Sequence, residues 1–323
     1  MKIVIPGGSG QVGRLLSRAL LREGHECVIF SRKALPPESE LSGLRQVIWD
    51  GRTLGPWAGE IDGADVMINL AGRSVDCRYS RRNLEAMLQS RVDSTRVVGE
   101  AIAAAQVPPR VWLQASTATI YAHRFDAPND ELTGQIGGHE PDAPLLWRKS
   151  IEIAQAWEAE LAAAPTPRTR KIALRSAMTM SPDRGGVFHV LATLGGLGIG
   201  RQGDGRQFVS WIHEHDFVGA VRFLIAREDL TGAFNLAAPH PLPNRDFMAA
   251  LHRAVGCPLS VPVPRWALEV GAFFLRTETE LILKSRRVVP GRLLREGFNF
   301  SHPDWPAAAA DLVHPWKTDP KKS

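Results

Sequence analysis

The sequence predicts an α/β fold, a doubly wound parallel sheet with helices on both faces, joined to a smaller domain. Two observations predict it. Apolar runs of strand length alternate with amphipathic segments of helix length through the first half of the chain, which is the pattern of strands and crossover helices in such sheets. The chain has 323 residues, 44% of them hydrophobic, which suffices for one large core or two coupled ones.

Strands are predicted where short apolar runs occur between turn residues. In chain order these runs are KIVIP, ECVIFS, RQVIWD, DVMINLAG, RVWLQAST and KIALRSAMT. Between the fourth and fifth, residues 81–106 carry apolar side chains at helical spacing, and Pro108 and Pro109 follow. Because proline cannot continue a helix, this segment is predicted to be a long crossover helix that ends before the prolines.

The second half of the chain is predicted to form a different unit, because glycine and proline become more frequent after about residue 178. A helix in DFVGAVRFLIARE, a strand in GAFNLAAP and two further helical stretches follow. We predict a first domain over residues 1–178 with a return segment at about 209–230. Residues 179–316 are predicted to be mainly a smaller α/β substrate-binding domain with a C-terminal helical cap, and residues 317–323 a frayed tail.

The charge of the chain is basic, with a formal net charge of +5, a pI near 9.4 and a late basic run, KSRRVVPGRLLR. We interpret this run as a solvated face. Aromatic residues do not alternate with the basic ones, so we expect no nucleic-acid partner. Attraction of an anionic small molecule such as a dinucleotide explains the charge more economically.

Location is predicted from the features that the sequence lacks. The first predicted strand begins at Lys2, which leaves no room for a signal peptide ahead of it, and no apolar run is long enough to span a bilayer. Cys27, Cys77 and Cys257 are odd in number and form no CxxC pair, which argues against a disulfide framework and a zinc ribbon. We expect a cytoplasmic protein with no membrane partner. Its expected partner is a small-molecule substrate, and a homodimer is compatible with these features.

The strongest chemical signal is GGSGQVG, which follows the first predicted strand and opens the first predicted helix. Gly7, Gly10 and Gly13 allow a tight turn and a close approach of a pyrophosphate to the helix N-terminus, where Gln11 and Val12 begin the first turn. Free N–H groups and the helix dipole favour an anion there. Strand, turn, helix and second strand together are the setting of a Rossmann dinucleotide site, which we predict here.

The end of the second strand predicts which dinucleotide binds. Proteins specific for NAD usually place Asp or Glu there, against the adenosine ribose. This chain has Ser31 and Arg32 instead. A carboxylate would repel a 2′-phosphate, whereas a guanidinium pairs with it and a serine hydroxyl adds a hydrogen bond. The predicted cofactor is therefore NADP(H), and the alternative is that both residues form an ordinary solvated strand end.

Several further motifs carry a family resemblance. The chain resembles the short-chain dehydrogenase/reductase superfamily in its extended, epimerase-like form, and more narrowly an atypical NADP-binding epimerase group that ends in a domain of unknown function. The motifs are GGSGQVG, FSRK, INLAG, SRVDSTR, GRQFVSWIHEHDFV, GAFNLAAP, VPVPRWAL and VVPGRLLREGFNF. The resemblance implies NADP contacts at Gly7 to Gly13, Ser31, Arg32, Leu70 and Ala71, and a role for Arg91.

The motif INLAG has a physical reason beside the resemblance. Ala71 and Gly72 are small, so the backbone at the end of the fourth strand can approach a cofactor closely. Asn69 either holds this strand end by hydrogen bonds or is an ordinary terminus.

The catalytic residues of the superfamily are only partly present. Its usual acid and base pair is a tyrosine with a lysine four residues later, because a nearby cation lets a phenol release its proton. The chain has two tyrosines, Tyr79 and Tyr121, and neither is followed by a lysine at that spacing. The corresponding positions are occupied by Lys149 and Ile153, which casts doubt on ordinary alcohol oxidation.

Three other residues are predicted as catalytic. Ser116, followed by Thr117, matches the superfamily's active-site hydroxyl at the end of the fifth strand, and Tyr121 resembles the tyrosine that follows it in the narrower group. The alternative for both is packing at the strand end. His213 lies where the resemblance implies a histidine near the substrate cleft.

The segment WIHEHDF also suggests metal ligands, since His213 and His215 share one face of a strand. We predict no metal site and interpret Asp216 as the cap of the following helix. Arg201 and Arg206 lie in a glycine-rich loop that suits either an anionic substrate group or a surface turn.

Together these features predict an NADP(H)-binding, epimerase-family oxidoreductase-like protein whose substrate is a nucleotide sugar or another small polar carbonyl or hydroxyl compound. The alternative class is a regulatory or scaffold protein that binds NADP(H) but has lost efficient catalysis, as the missing YxxxK permits. A third class, a partner in cell or organelle division, rests only on labels given to relatives, and fold does not imply function.

Overall fold

The computed structural model describes residues 1–35, 43–140, 144–269 and 278–318, without the side chains of Leu281 and Lys317. Its strands are β1 (Lys2–Pro6), β2 (Glu26–Ser31), β3 (Leu44–Ile48), β4 (Val66–Asn69), β5 (Val111–Thr117), β6 (Arg170–Ser176), β7 (Met178–Met180), β8 (Ile199–Gln202), β9 (Phe208–Val209), β10 (Trp211–His213), β11 (Gly232–Leu236), β12 (Leu242–Pro243) and β13 (Val261–Val263). Its α-helices are α1 (Gln11–Arg22), α2 (Arg81–Ala104), α3 (Leu145–Ala163), α4 (Val187–Gly196), α5 (Glu214–Ala226), α6 (Asn244–Val255), α7 (Glu280–Leu283), α8 (Gly291–Arg295) and α9 (Trp305–Thr318). Short 3-10 helices cover Pro56–Glu60 and Ala118–Ile120.

Seven of these strands form a parallel central sheet in the order β11, β6, β5, β4, β1, β2, β3. Successive side chains of a strand point to opposite faces, and β1 buries both. Ile3 packs with Leu16 of α1 and Phe217 of α5 on one face, whereas Val4 packs with Val98 of α2 on the other. The sheet is therefore covered on both sides, as the sequence predicted for a doubly wound fold.

A second unit lies beside the sheet and is built from α4, α6, α9 and three two-stranded pairings, β10 with β7, β12 with β9, and β13 with β8. Aromatic rings form its core: Trp305 stacks on Phe247 with centroids 4.0 Å apart and contacts Trp211 edge-on at 4.9 Å. The predicted smaller domain with a helical cap corresponds to this unit.

The predicted element boundaries differ from the structure in three places described here. The run KIALRSAMT is split, because β6 pairs with β5 and β11 whereas β7 pairs with β10. The return segment consists of α5 and β11 and extends to Leu236, beyond the predicted end at about 230. The predicted frayed tail begins inside α9, and its residues 319–323 lie outside the described residues.

Two observations concern the chemistry of the chain as a whole. All three cysteines fall within the described ranges, and each is a free thiol. None of the described helices is both long and apolar enough to cross a bilayer.

Candidate functional site

The glycine-rich loop lies at the carboxyl end of β1 and packs against the end of β4. Gly7 has a φ of +77°, and a Cβ added there would lie 2.7 Å from the Ala71 nitrogen and 2.8 Å from the carbonyl carbon of Leu70. A Cβ on Gly13 would lie 2.5 Å from the Cα of Gly8. These contacts leave no room for a side chain, so the loop brings backbone N–H groups close to the strand ends.

The N-terminus of α1 is free to hold an anion. Its N-cap residue, Gly10, provides no side-chain hydrogen bond, and the first turn contains no acidic residue. The Nε2 atom of Gln11 is buried without a hydrogen-bond partner among the described residues. Uncapped N–H groups and this amide fit the pyrophosphate of a dinucleotide. The loop after β7 is tied to the same helix by the ion pair of Arg18 with Asp183.

The end of β2 presents Arg32 to solvent, and no partner for its side chain is found among the described residues. Ser31 is different: it is 4% exposed, and its hydroxyl donates to the Lys33 carbonyl at 2.7 Å and accepts from Gln46. Gln46 also donates to the Lys33 carbonyl at 2.7 Å and accepts from the Leu35 N–H at 3.0 Å. Ser31 and Gln46 therefore fix the turn that presents Arg32.

The motif after β4 is rigidly held. Asn69 is fully buried, donates to Gln114 at 3.0 Å and accepts from the Ala71 N–H at 3.1 Å. Asn69 thus holds the strand end, in agreement with the first of the two interpretations above. A Cβ on Gly72 would lie 3.3 Å from Cγ of Arg91, so the glycine makes space for this arginine.

A cavity of about 210 Å³ lies between the end of β5, helices α2 and α3, and the segment that precedes α8. Apolar groups such as Ile153 and Trp157 form part of its wall. Its polar lining residues are Tyr79, Arg91, Ser116, Thr117, Thr119, Ser150 and Arg286. Because this cavity lies at the carboxyl ends of the parallel strands, it occupies the place where such sheets bind ligands.

Arg91 is a buried cation in the wall of this cavity. Its side chain is 9% exposed, its guanidinium carbon lies 4.9 Å from the centre of the Trp157 ring, and its Nη1 donates to the Met87 carbonyl at 3.0 Å. No carboxylate pairs with it among the described residues, and burial lowers the pKa of Arg91 to about 10. A buried charge without a counterion is costly, so the site favours a ligand with an electron-rich oxygen.

Helix α7 and the residues after it form a polar cluster beside the cavity that the sequence interpretation missed. Glu280 is 2% exposed and accepts from the Ser150 hydroxyl at 2.6 Å. Lys284 is 1% exposed, donates to the Thr119 carbonyl at 2.8 Å, and has its pKa lowered to about 8 by burial. Arg286 donates to the Thr119 hydroxyl at 3.2 Å and to the Glu280 carbonyl at 3.2 Å.

The interpretation of the late basic run as a solvated face was therefore wrong for Lys284 and Arg286. Tyr79 belongs to the same cluster, and its backbone N–H donates to Glu278 at 2.8 Å. It had been considered only as a member of a YxxxK pair. The signal that was available is the i,i+4 spacing of Glu280 and Lys284 in the stretch ETELILKSRR.

Ser116 and Tyr121 take different positions. Ser116 lines the cavity and donates to Glu158 of α3 at 2.5 Å. Tyr121 is 2% exposed and does not line it, because its hydroxyl donates to Asn235 at 2.9 Å and accepts from Arg175 at 2.9 Å. The burial of Tyr121 favours the alternative of packing at the strand end, and the catalytic roles of Tyr121 and Ser116 stay predictions.

The two positions aligned with YxxxK lie one turn apart on α3 and differ in their surroundings. Lys149 points outward, pairs with Glu152 at 2.6 Å and has a side chain that is 46% exposed. Ile153, in the place of the lysine, lines the cavity. The helix therefore supplies no phenol and no cation from these positions.

His213 does not line this cavity, and its expected place near the substrate stays a prediction. It is fully buried, caps α5 by accepting from the His215 N–H at 3.1 Å, and stacks on His302 with centroids 3.7 Å apart. Asp216 does not cap α5, since its carboxylate accepts from the backbone N–H groups of residues 301 and 302 at 2.7 and 2.9 Å.

His213, His215, His302 and Asp311 have ligand atoms within 4.8 Å of one another, which is close enough to consider a metal ion. The hydrogen bond to Nδ1 of His213 leaves the ring proton on Nε2, so this residue would have to lose its cap to bind a metal through Nε2. Stacked rings also direct their nitrogen lone pairs in parallel rather than toward one point. The absence of a metal site stays a prediction.

Two other surface features lie away from the cavity. Arg201 near the end of β8 and Arg206 in the turn before β9 are exposed, and Arg201 donates to the Asp204 carbonyl at 3.0 Å. A shallow depression of about 420 Å³ lies at the amino ends of β5 and β6, beside Arg110 and Arg170. Parallel sheets bind ligands at the opposite edge, so we assign the site to the cavity.

Comparison with known proteins agrees with this geometry. Residues 3–237 match the model of the NAD dependent epimerase/dehydratase family, and residues 263–312 match a domain of unknown function (DUF1731). The epimerase family protein SDR39U1 of Bos taurus is 30% identical over 97% of this chain and 100% of its own length. The epimerase family protein YfhF of Bacillus subtilis is 29% identical over 98% and 100%.

A solved structure extends the comparison to the fold. The human epimerase family protein SDR39U1 (isoform2), crystallised with NADPH, superposes with a TM-score of 0.82 and 26% identity, covering 97% of this chain and 99% of that one. The predicted resemblance, both in the epimerase-like domain and in the C-terminal domain of unknown function, is thereby confirmed.

Proposed function

Because the chain belongs to the NAD dependent epimerase/dehydratase family, we propose that it binds NADP(H) and acts as an oxidoreductase-like enzyme on a small polar carbonyl or hydroxyl compound. One observation carries this proposal: the uncapped N-terminus of α1 and the polar cavity lie at the same edge of the sheet. A dinucleotide whose pyrophosphate lies at α1 has its nicotinamide directed toward the end of β5. When bound, NADPH supplies a hydride.

The choice of NADP(H) over NAD(H) is supported by the end of β2. Arg32 is exposed and the turn around it is fixed by Ser31 and Gln46, as a receptor for a 2′-phosphate requires. The crystallisation of human SDR39U1 with NADPH supports the same choice. Three unpaired thiols favour a reducing compartment, and we propose the cytoplasm.

The substrate class is suggested by the size and charge of the cavity. Its volume of about 210 Å³ is below the range of roughly 300–1,000 Å³ that drug-sized ligands need, so a small molecule is favoured over a nucleotide sugar. Arg91 and Arg286 favour an electron-rich oxygen on that molecule.

A regulatory or scaffold protein is the second candidate, and one observation favours it. Lys149 points to solvent and Ile153 is apolar, so the superfamily's proton-transfer pair is missing from α3. This candidate predicts dinucleotide binding without turnover.

The test is isothermal titration of NADP⁺, NADPH, NAD⁺ and NADH into the wild type and Arg32→Ala at fixed salt. Loss of a charge-assisted pair of about 1.5–3 kcal/mol should weaken NADPH binding by roughly 10- to 100-fold and leave NADH binding unchanged. Arg253→Ala is the matched control, because Arg253 is an exposed arginine on α6 in the other unit. Equal affinity for NADH and NADPH in the wild type, or no dinucleotide binding at all, would contradict the cofactor assignment.

A further inference from the structure

On the basis of the proposed function, we propose that Tyr79 is the proton donor of the cavity, delivering its phenolic proton to a substrate carbonyl oxygen. Tyr79 precedes α2 and therefore does not belong to α3, the helix that carries YxxxK in the superfamily. Its side chain is 7% exposed and shares the cavity wall with Ser116 and Thr117 at the end of β5. Tyrosine and β5 hydroxyls therefore face one enclosed space, although the tyrosine comes from a different element.

A hydroxyl chain leads from Tyr79 away from the cavity. Ser150 of α3 lines the same cavity as Tyr79 and lies close enough to lower the pKa of its phenol. Ser150 donates to Oε2 of Glu280 at 2.6 Å, and Glu280 is 2% exposed. Burial raises the pKa of Glu280, so this carboxyl group holds a proton more readily than an exposed one. The order Tyr79, Ser150, Glu280 can return a proton to the phenol after each transfer.

The charges around the cavity can stabilise the phenolate that the transfer leaves. Arg91 and Arg286 line the same space as Tyr79. Two guanidinium groups beside a phenolate supply the positive charge that the lysine supplies in YxxxK. The backbone of Tyr79 is held in place because its N–H donates to Glu278 at 2.8 Å.

Protonation at neutral pH fits a donor. Burial raises the pKa of Tyr79 and the nearby Glu280 raises it further, while the neighbouring Ser150 and the charge of Arg286 act in the opposite direction. The phenol therefore carries its proton, which suits carbonyl reduction better than alcohol oxidation.

The step balances with NADPH as the reductant. The carbonyl carbon accepts a hydride, the electron pair of the C=O π bond moves to oxygen, and the O–H bond of Tyr79 breaks to form the alcohol. A proton then passes from Glu280 through Ser150 to the phenolate, and solvent restores the proton on Glu280. The net reaction converts a carbonyl compound, NADPH and one proton into an alcohol and NADP⁺.

The test uses the fact that the chain has two tyrosines. In Tyr121→Phe the phenolate absorbance reports Tyr79 alone, and Tyr79→Phe identifies its contribution by loss. We would titrate Tyr121→Phe with and without saturating NADP⁺, and repeat the titration with Glu280→Gln and with Arg91→Met added. Circular dichroism at each pH would confirm that the protein remains folded.

We expect Tyr79 to titrate above the usual tyrosine pKa of about 10, and NADP⁺ to lower the apparent pKa by about one unit through its nicotinamide charge. Glu280→Gln should lower it and Arg91→Met should raise it. With 2,3-butanedione as a probe carbonyl, any NADPH oxidation should fall by at least ~100-fold in Tyr79→Phe and persist in Tyr121→Phe. A titration insensitive to NADP⁺ and to Glu280→Gln, in a protein that binds NADP⁺, would overturn the proposal. Absence of NADP⁺ binding would instead overturn the proposed function.

Discussion

Glu158 of α3 and Arg175 of β6 form a two-point ion pair. Nε and Nη2 of Arg175 donate to the two carboxylate oxygens at 2.8 and 2.7 Å. The Ser116 hydroxyl joins the same carboxylate at the cavity wall, and Arg175 donates onward to Tyr121 in the core. The pair thus connects α3 to the sheet and separates a serine that faces the cavity from a tyrosine that does not.

This network predicts a structural role for Tyr121. Tyr121→Phe leaves Asn235 Oδ1 without its phenolic donor and Arg175 Nη1 without its acceptor. An unsatisfied buried group costs about 1–3 kcal/mol, so urea unfolding should show a loss of stability of that size. NADPH affinity should remain that of the wild type. A fall in NADPH affinity with unchanged stability would return Tyr121 to the functional site.

The glycine-rich loop predicts different effects at two glycines with the same backbone angle. Gly7 and Gly24 have φ values of +77° and +78°, but a Cβ on Gly24 meets nothing within 4 Å, whereas one on Gly7 lies 2.7 Å from Ala71. Gly24→Ala should cost about 1–2 kcal/mol from the backbone angle alone. Gly7→Ala should cost more and abolish NADPH binding. Urea unfolding measures the stability of both variants, and calorimetric titration measures their NADPH affinity. Equal losses of stability and of affinity in the two variants would show that the contact of Gly7 with Ala71 contributes to neither.

Gln46 is predicted to control cofactor choice without contacting the cofactor itself. Its side chain accepts from the Leu35 N–H and donates to the Lys33 carbonyl. Gln46→Leu removes these two hydrogen bonds and the one that Gln46 donates to Ser31, and it should loosen the turn that presents Arg32. We expect NADPH affinity to fall several-fold, less than in Arg32→Ala, with NADH affinity unchanged. Titration calorimetry tests this, and an unchanged NADPH affinity would show that the turn holds its shape without Gln46.

His213 predicts an acid-dependent loss of stability. Burial lowers the pKa of His213 from 6.5 to about 3, with His302 and His215 lowering it further and Asp311 opposing them. Between these two pH values the unfolded chain binds a proton that the folded protein excludes. Stability is therefore complete above pH 6.5 and falls as the pH drops toward about 3, by up to about 1.4 kcal/mol per pH unit.

The matched variant for this prediction is His213→Asn, because asparagine keeps an N-cap acceptor for α5 and does not titrate. Urea unfolding from pH 7 downward should give a flatter curve for this variant than for the wild type. His240→Asn is the control, since the His240 side chain is 61% exposed. If the unfolding free energy of His213→Asn fell with pH as steeply as that of the wild type, groups other than His213 would cause the acid sensitivity.

The sequence predicted the parts of the site that depend on local contacts. Gly7 and Gly13 can be identified from the sequence because the tight turn after β1 requires glycine. The strands β1 and β2 have the predicted bounds because their apolar runs are continuous. Ser31 and Arg32 were placed correctly at the end of β2, since position along a strand follows from the motif before it.

The parts that sequence could not supply depend on distant contacts. Lys284 is buried because Thr119, 165 residues away, accepts its hydrogen bond, and nothing in KSRR distinguishes this lysine from a solvated one. The sequence could not show that β10 pairs with β7 and places His213 beside Asp311. Tyr121 follows the active-site serine closely in sequence, yet Asn235 and Arg175 hold its hydroxyl in the core.

Two of the passages of the described chain between the two units have very short connections. Ala177 alone separates β6 from β7, and α5 follows β10 without an intervening residue. The first 178 residues are therefore not a transplantable module. Expressed alone, they would lack β11 and expose β6 as an open sheet edge, a site for aggregation. Chimeras that exchange substrate specificity with a relative should keep β11 and α5 with the nucleotide-binding half and replace the two flanking segments together.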